Sequence, residues 1–185
     1  MPLQSVRRGQ VRRDRNGLVR HVILIGLGAN LPSRFGTAAA TLTAALEALG
    51  GEGIRVAACS PWYESAPVPA SDQPWFVNGV AALATALPPA DLLRKLHAIE
   101  QDFERVRSVP NAARTIDLDL LDYEGQVSEG WPVLPHPRLH ERAFVLRPLL
   151  DIAPGWRHPG FGDDAGALLA RVGPEQIVRP LDSNG

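Results

Sequence analysis

The sequence predicts an α+β sandwich of ferredoxin-like type, a mostly antiparallel sheet with helices packed on it. Three observations carry that expectation. Segments of strand and helix character follow one another as strand, helix, strand, strand, helix, strand. Two of the helical segments are long enough to cover a sheet face. The 185 residues, 45% of them hydrophobic, suffice for one core and call for no second one. The expected organisation is a basic disordered extension over 1–20, one domain over 21–174 and a tail over 175–185.

His21 to Gly28 is a short, β-branched apolar run ending in glycine, and it reads as a buried strand. Ala38 to Leu49, rich in Ala and Leu and stopped by Gly50-Gly51, reads as a helix. Ile54 to Tyr63 and Phe76 to Leu87 are strand-like, and Pro67, Pro69 and Pro74 make the stretch between them an irregular loop. Pro88-Pro89 opens the clearest helix, with Leu92, Leu96, Ile99 and Phe103 as its buried stripe and His97, Glu100 and Glu104 on a different one. Ser108 to Ala113 reads as a loop, Arg114 to Tyr123 as a strand and Glu124-Gly125 as a turn. His140 to Leu150 reads as a short helix or turn broken at Pro148, and Ala165 to Val172 as a last helical piece.

Composition narrows the function classes. No run reaches the ~18 apolar residues of a membrane helix, and no apolar stretch marks a secretory signal at the N-terminus. Cys59 is the only cysteine, so an intrachain disulfide and a thiolate metal cluster are excluded, and a reducing cytoplasm is the expected location. Six arginines against Asp14 make residues 1–20 basic and leave the body acidic, without the basic stripe of a nucleic-acid binder. No nucleic acid and no membrane are expected as partners, and the chain is expected to be a monomer.

The sharpest chemical feature is Arg114-Thr115-Ile116-Asp117-Leu118-Asp119-Leu120. Side chains two apart on a strand share a face, so Asp117 and Asp119 project together while Ile116, Leu118 and Leu120 enter the core. Two carboxylates about 7 Å apart on a partly buried face repel unless a cation sits beside them, and magnesium shared with substrate phosphates fits. The alternative is a polar outer face of an edge strand. Arg105 and Arg107 before a six-residue loop and Arg114 after it suit phosphate oxygens, or else form surface salt bridges with Asp102 or Glu104. His136 and His140 join the aspartates as candidate ligands of a transition metal, which keeps a metal-dependent phosphohydrolase as a rival. Gly26-Leu27-Gly28-Ala29-Asn30-Leu31 has Leu31 where a dinucleotide fingerprint needs glycine. The phosphate loop Gly-x-x-x-x-Gly-Lys-Ser/Thr is missing, and Lys95 is the only lysine.

Taken together, Gly26 to Leu31, Tyr63-Glu64-Ser65-Ala66-Pro67, Asp72 to Asn78, Arg105-Val106-Arg107, Arg114 to Asp119 and Pro135 to Phe144 closely resemble 6-hydroxymethyl-7,8-dihydropterin pyrophosphokinase, from about Val22 to Pro154. The resemblance implies transfer of pyrophosphate from ATP to the pterin hydroxymethyl group in folate synthesis. It implies Arg105, Arg114, Asp117 and Asp119 as catalytic residues, with Asp117 and Asp119 holding two magnesium ions. It implies His97, Glu100, Arg107, His136 and Arg142 for ATP, and Ser65, Ala66, Val68, Phe76, Asn78 and Phe144 for the pterin. The chain departs from the family in three places: no aromatic in Ser108 to Ala113, Pro137 where some members have an aromatic, and His97 where some have glutamine. A second rival, a ferredoxin-like module presenting aromatics to single-stranded RNA, sits poorly with an acidic body of 6% aromatic residues.

Overall fold

Strand β1 (Ile23–Ala29) is apolar on both faces because it lies inside the sheet with helices above and below it. The structure is a computed structural model that describes residues 22–51, 53–105 and 112–182. Ile23, Ile25, Leu27 and Ala29 enter the core under the two long helices, and Leu24 enters the core on the opposite face. Antiparallel neighbours flank β1, with β4 (Phe76–Thr85) on one side and β5 (Asp117–Tyr123) on the other. Beyond β4 lie β2 (Ile54–Cys59) and β3 (Tyr63–Ser65), and β6 (Val178–Pro180) pairs with β3 at the edge. The path β5-β1-β4-β3-β6, with β2 also on β4, is the antiparallel ferredoxin-like sheet expected from the element order.

Helix α1 (Ala38–Leu49) is capped by Thr37, whose hydroxyl accepts the N–H of Ala40, and α2 (Pro89–Asp102) carries proline at its start, where a missing N–H costs nothing. Leu92, Leu96, Ile99 and Phe103 are buried as their spacing predicts; each fully buried leucine contributes about 1.5–3 kcal/mol. Glu100 was expected on a different stripe, yet it is 1% exposed. It follows Leu96 by four residues, which brings it back to the same face, and its charge is accommodated there by specific partners described below.

The expected strand from Ile54 to Tyr63 is divided. Pro61 has no N–H for the ladder, and Ser60 turns its hydroxyl to accept the N–H of Val80 at 3.1 Å while Trp62 lies over Gly79, where a Cβ would fall 2.6 Å from the indole. The strand expected from Arg114 begins instead at Asp117, because Arg114 spends its backbone N–H on the Asn30 side chain and its carbonyl on the N–H groups of Asn30 and Leu31. The segment expected to break at Pro148 is a 3-10 turn (Leu139–Glu141) followed by a helix, α3 (Ala143–Ile152), that continues through the proline. Burial of Val145, Leu146 and Leu149 against the sheet offsets the one helical hydrogen bond that Pro148 cannot donate. A short α4 (Ala165–Leu169), capped by Asp164, ends before the expected Val172.

The face covered by α3 and α4 contains an anchor invisible in the sequence. Trp156 is 2% exposed and donates its indole N–H to Asp122 at 2.6 Å; burial pushes that carboxyl above the ordinary aspartate range against the pull of this bond. The basic extension, most of the expected loop at 108–113, and Arg107 lie outside the described residues.

Candidate active site

Strand register builds the site. Asp117 stands opposite Gly28 and Asp119 opposite Gly26 on β1, and Gly28 stands opposite Asn78 on β4. The two glycines sit between a row of carboxylates and a row containing the amide, and with no side chains they leave the space open. A Cβ on Gly28 would lie 3.2 Å from Asn78 Oδ1 and 4.0 Å from the Asp117 Cβ. The Gly-x-Gly spacing thus serves a cavity floor instead of a nucleotide-binding turn.

The cavity holds about 500 Å³. Of the residues selected from the sequence, Ser65, Ala66, Val68, Phe76, Asn78, Arg114, Asp117, Asp119, Arg142 and Phe144 line it together. Arg105, Glu100, His97 and His136 stand outside this lining. Three of them connect to it. Arg105 reaches Asp117 Oδ1 at 2.8 Å, and His136 Nε2 lies 3.9 Å from Asp119. Glu100, buried beneath β5, forms an ion pair with Arg105 and accepts the Leu118 N–H at 2.8 Å, between the two aspartates. His97 lies on α2, one turn before Glu100.

One end of the cavity is strongly charged. Arg114 binds Asp117 Oδ2 at 2.6 Å and Arg142 binds Asp119 Oδ2 at 3.3 Å. Burial raises the Asp117 carboxyl above the ordinary range and Asp119 beside it raises it further; Arg114, Arg105 and Arg142 pull it back without cancelling the rise. Burial holds His136 below the usual imidazole range, with Asp119 opposing, so the neutral ring is favoured. The Arg142 guanidinium is likewise lowered by burial, and its Nε is a buried donor without a hydrogen-bond partner among the described residues. Arginines crowded on two carboxylates, with a donor to spare, suit an anionic ligand that brings its own cations.

The other end is neutral and flat-walled. Asn78, buried, donates its amide N–H to Ser65 Oγ at 2.7 Å. Phe76 and Phe144 are partly exposed to the cavity, with Arg114 5.8 Å from the first ring and Arg142 5.5 Å from the second. Each aromatic therefore has an arginine of the charged end beside it, which joins the two ends into one site.

Asn30 is a further residue of the site that the motifs do not single out. It is buried; its Oδ1 accepts the Arg114 N–H at 2.8 Å, and its Nδ2 donates to the Pro74 carbonyl at 3.1 Å and to Gln73 at 3.3 Å. One amide thus ties the segment bearing Arg114 to the loop that leads into Phe76. Its position two residues after Gly28, just past the end of an apolar strand, is the one signal of this in the sequence.

The two carboxylates fit magnesium. They are hard oxygen donors on one face, few enough to leave coordination positions to a ligand's phosphates, and they already attract cations in the form of arginine. Among the described residues no group of three or more His, Cys, Asp or Glu converges as a transition-metal site would require. No described helix is long and apolar enough to cross a membrane.

Comparison with known proteins places the chain in a family. Residues 24–154 match the family model of 7,8-dihydro-6-hydroxymethylpterin-pyrophosphokinase. The chain is 48% identical over 127 residues to the 2-amino-4-hydroxy-6-hydroxymethyldihydropteridine pyrophosphokinase of Pseudomonas aeruginosa, covering 68% of this chain and 77% of that protein. It is 43% identical over 157 residues to the protein of that name from Methylorubrum extorquens, covering 84% and 96%. The chain spans 21% of the length of a Pneumocystis carinii folic acid synthesis protein to which it is 38% identical. In fold it resembles the crystal structure of wild-type Plasmodium falciparum HPPK-DHPS with STZ-DHP, with a TM-score of 0.63 at 13% identity, over 82% of this chain and 43% of that one. With a family model matched across most of its length, this chain belongs to the 7,8-dihydro-6-hydroxymethylpterin-pyrophosphokinase family.

Proposed function

We propose that this chain transfers pyrophosphate from ATP to the hydroxymethyl oxygen of 6-hydroxymethyl-7,8-dihydropterin, giving the pterin diphosphate and AMP in folate synthesis. The observation that carries the reading is the joining, within one cavity, of a carboxylate-arginine end to an amide-aromatic end. A phosphohydrolase acting through the same aspartates has no use for the neutral end. The new bond joins the hydroxymethyl oxygen to the β-phosphorus, the bond from that phosphorus to the AMP oxygen breaks, and the hydroxyl proton is released.

Two magnesium ions, held by Asp117 and Asp119, would neutralise the triphosphate and polarise the β-phosphorus. Arg114 and Arg142 would turn from Asp117 and Asp119 to phosphate oxygens, Arg105 would turn from Asp117 while keeping Glu100, and Arg107 and His136 would add contacts to ATP. His97 would meet the nucleotide from α2, while Glu100 holds Arg105 and the β5 backbone in place. Phe76 and Phe144 would stack on the flat pterin, with Asn78, Ser65 and the backbone of Ala66 and Val68 reading its edge. Orientation of two substrates against each other, and charge neutralisation, then supply most of the acceleration. A monomer in a reducing cytoplasm completes the reading, with Cys59 as a thiol that burial raises to about 11 and so keeps protonated.

The test is AMP formation from ATP and magnesium with and without the pterin. AMP and pterin diphosphate formed together, only when the pterin is present, support the reading; inorganic phosphate released regardless of the pterin overturns it. The cavity floor supplies a second check. Gly28→Val places a branched side chain between Asn78 and Asp117, and is expected to weaken pterin binding by at least about 10-fold in a fluorescence titration, because the space taken is the ligand's.

A further inference from the structure

Gln176, in the segment between α4 and β6, is joined to the beginning of α3. Its Oε1 accepts the N–H of Ala143 at 2.9 Å and its Nε2 donates to the carbonyl of Glu141 at 2.8 Å. These two backbone groups flank Arg142, and Ala143 separates Arg142 from Phe144. The N-terminus of α3 has no side-chain cap of its own, since Arg142 at the N-cap position makes no such bond. An amide from more than thirty residues later takes that place, and the same side chain lines the cavity.

The residues that follow grip the opposite wall. The Ile177 carbonyl accepts the N–H of Ala66 at 3.2 Å, and β6 pairs with β3 so that Val178 stands opposite Ser65. A single short stretch therefore holds both Arg142 and Phe144 on one side and Ser65 and Ala66 on the other. It adds little to the core: Ile177 is 51% exposed and β6 is mostly exposed. Its hydrogen bonds bear chiefly on the separation of the two walls.

We infer that Gln176 is a positioning residue that sets Arg142 and Phe144 against the Ser65–Ala66 wall, and so governs how tightly both substrates are held. This rests on the pyrophosphokinase reading. Gln176→Leu keeps the approximate volume and removes both hydrogen bonds; KM is expected to rise about 10-fold for the pterin, and to rise for ATP, as for other residues that orient binding groups. The thermal midpoint is expected to fall by no more than about 4 °C. Gln176→Glu retains an acceptor for the Ala143 N–H and is expected to lie nearer the parent. If Gln176→Leu does not fold, Gln176→Asn, whose amide falls one methylene short, is expected to show the raised KM. Parent-like KM values in Gln176→Leu, or in Gln176→Asn where that is the folded variant, overturn the inference. A KM increase that tracks a fall of more than about 10 °C in midpoint also overturns it, since Gln176 would then act through the fold alone. The parent assayed alongside separates the two claims: parent AMP formation with unchanged variants overturns the inference alone, whereas no AMP from the parent overturns the reading beneath it.

Discussion

Asp119→Ala or Asp117→Ala is expected to lower AMP formation by about 10³-fold or more while the protein remains folded. Both carboxylates face the cavity from β5, and both are engaged by arginines that a magnesium-bound triphosphate would displace. Removing one would leave the arginines without their anchor and, on the proposed reading, a magnesium ion without a ligand. The fold is expected to survive because the opposite face of the strand, with Ile116, Leu118 and Leu120, stays buried, and because Arg105 keeps Glu100 as its partner. Asp117→Asn sharpens the test. The carboxyl of Asp117 is raised in the folded protein, so its protonated form is favoured by folding. Its contribution to stability is present below the unfolded aspartate value and is lost as pH rises through the raised one. At neutral pH without metal, the midpoint of Asp117→Asn is therefore expected to equal or exceed the parent's while AMP formation collapses, as in sites that trade stability for activity. Near-parent turnover in any of these variants would remove the metal assignment.

Asn78→Leu carries the second large effect. The amide is buried and donates to Ser65, and it can both donate to and accept from a ring edge. Leucine is close in size and cannot do either, so the Ser65 hydroxyl and the bound ring edge are left unpaired. A site built to hydrogen-bond its ligand discriminates strongly when that bond is missing, and pterin affinity is expected to fall by about 10²-fold or more. Binding of ATP at the charged end is expected to change by less than about 3-fold, since among the described residues the Asn78 side chain bonds Ser65 and the Phe76 carbonyl and not an arginine. Fluorescence titration with the pterin and calorimetry with ATP separate the two. Equal losses for both ligands would mean that the cavity does not divide into two ends.

The local pattern carried far. Alternation on the strand containing Asp117 and Asp119 follows from a period of two, and the buried stripe of α2 from a period of 3.6, so both faces could be assigned before any tertiary contact was known. The ten cavity-lining residues selected from the sequence rest on those periods and on the resemblance of several ordered motifs. Local periodicity falls short where the partner is distant. Glu100 is buried because Arg105 and the backbone of β5 meet it there; Asn30 matters because it reaches Arg114 and Pro74; Trp156 because Asp122 lies within reach on the face covered by α3 and α4.

By itself, then, the sequence determined the ferredoxin-like order of elements, the paired carboxylates, the surrounding arginines and the family. The tertiary structure alone decided that Gly26 and Gly28 are a cavity floor, that Phe76 and Phe144 each meet an arginine, and that Gln176 supplies the missing cap of α3. The physical reason is range. Propensity and periodicity act over a few residues, whereas register across three strands and a hydrogen bond between residues 143 and 176 exist only after the chain has closed on itself.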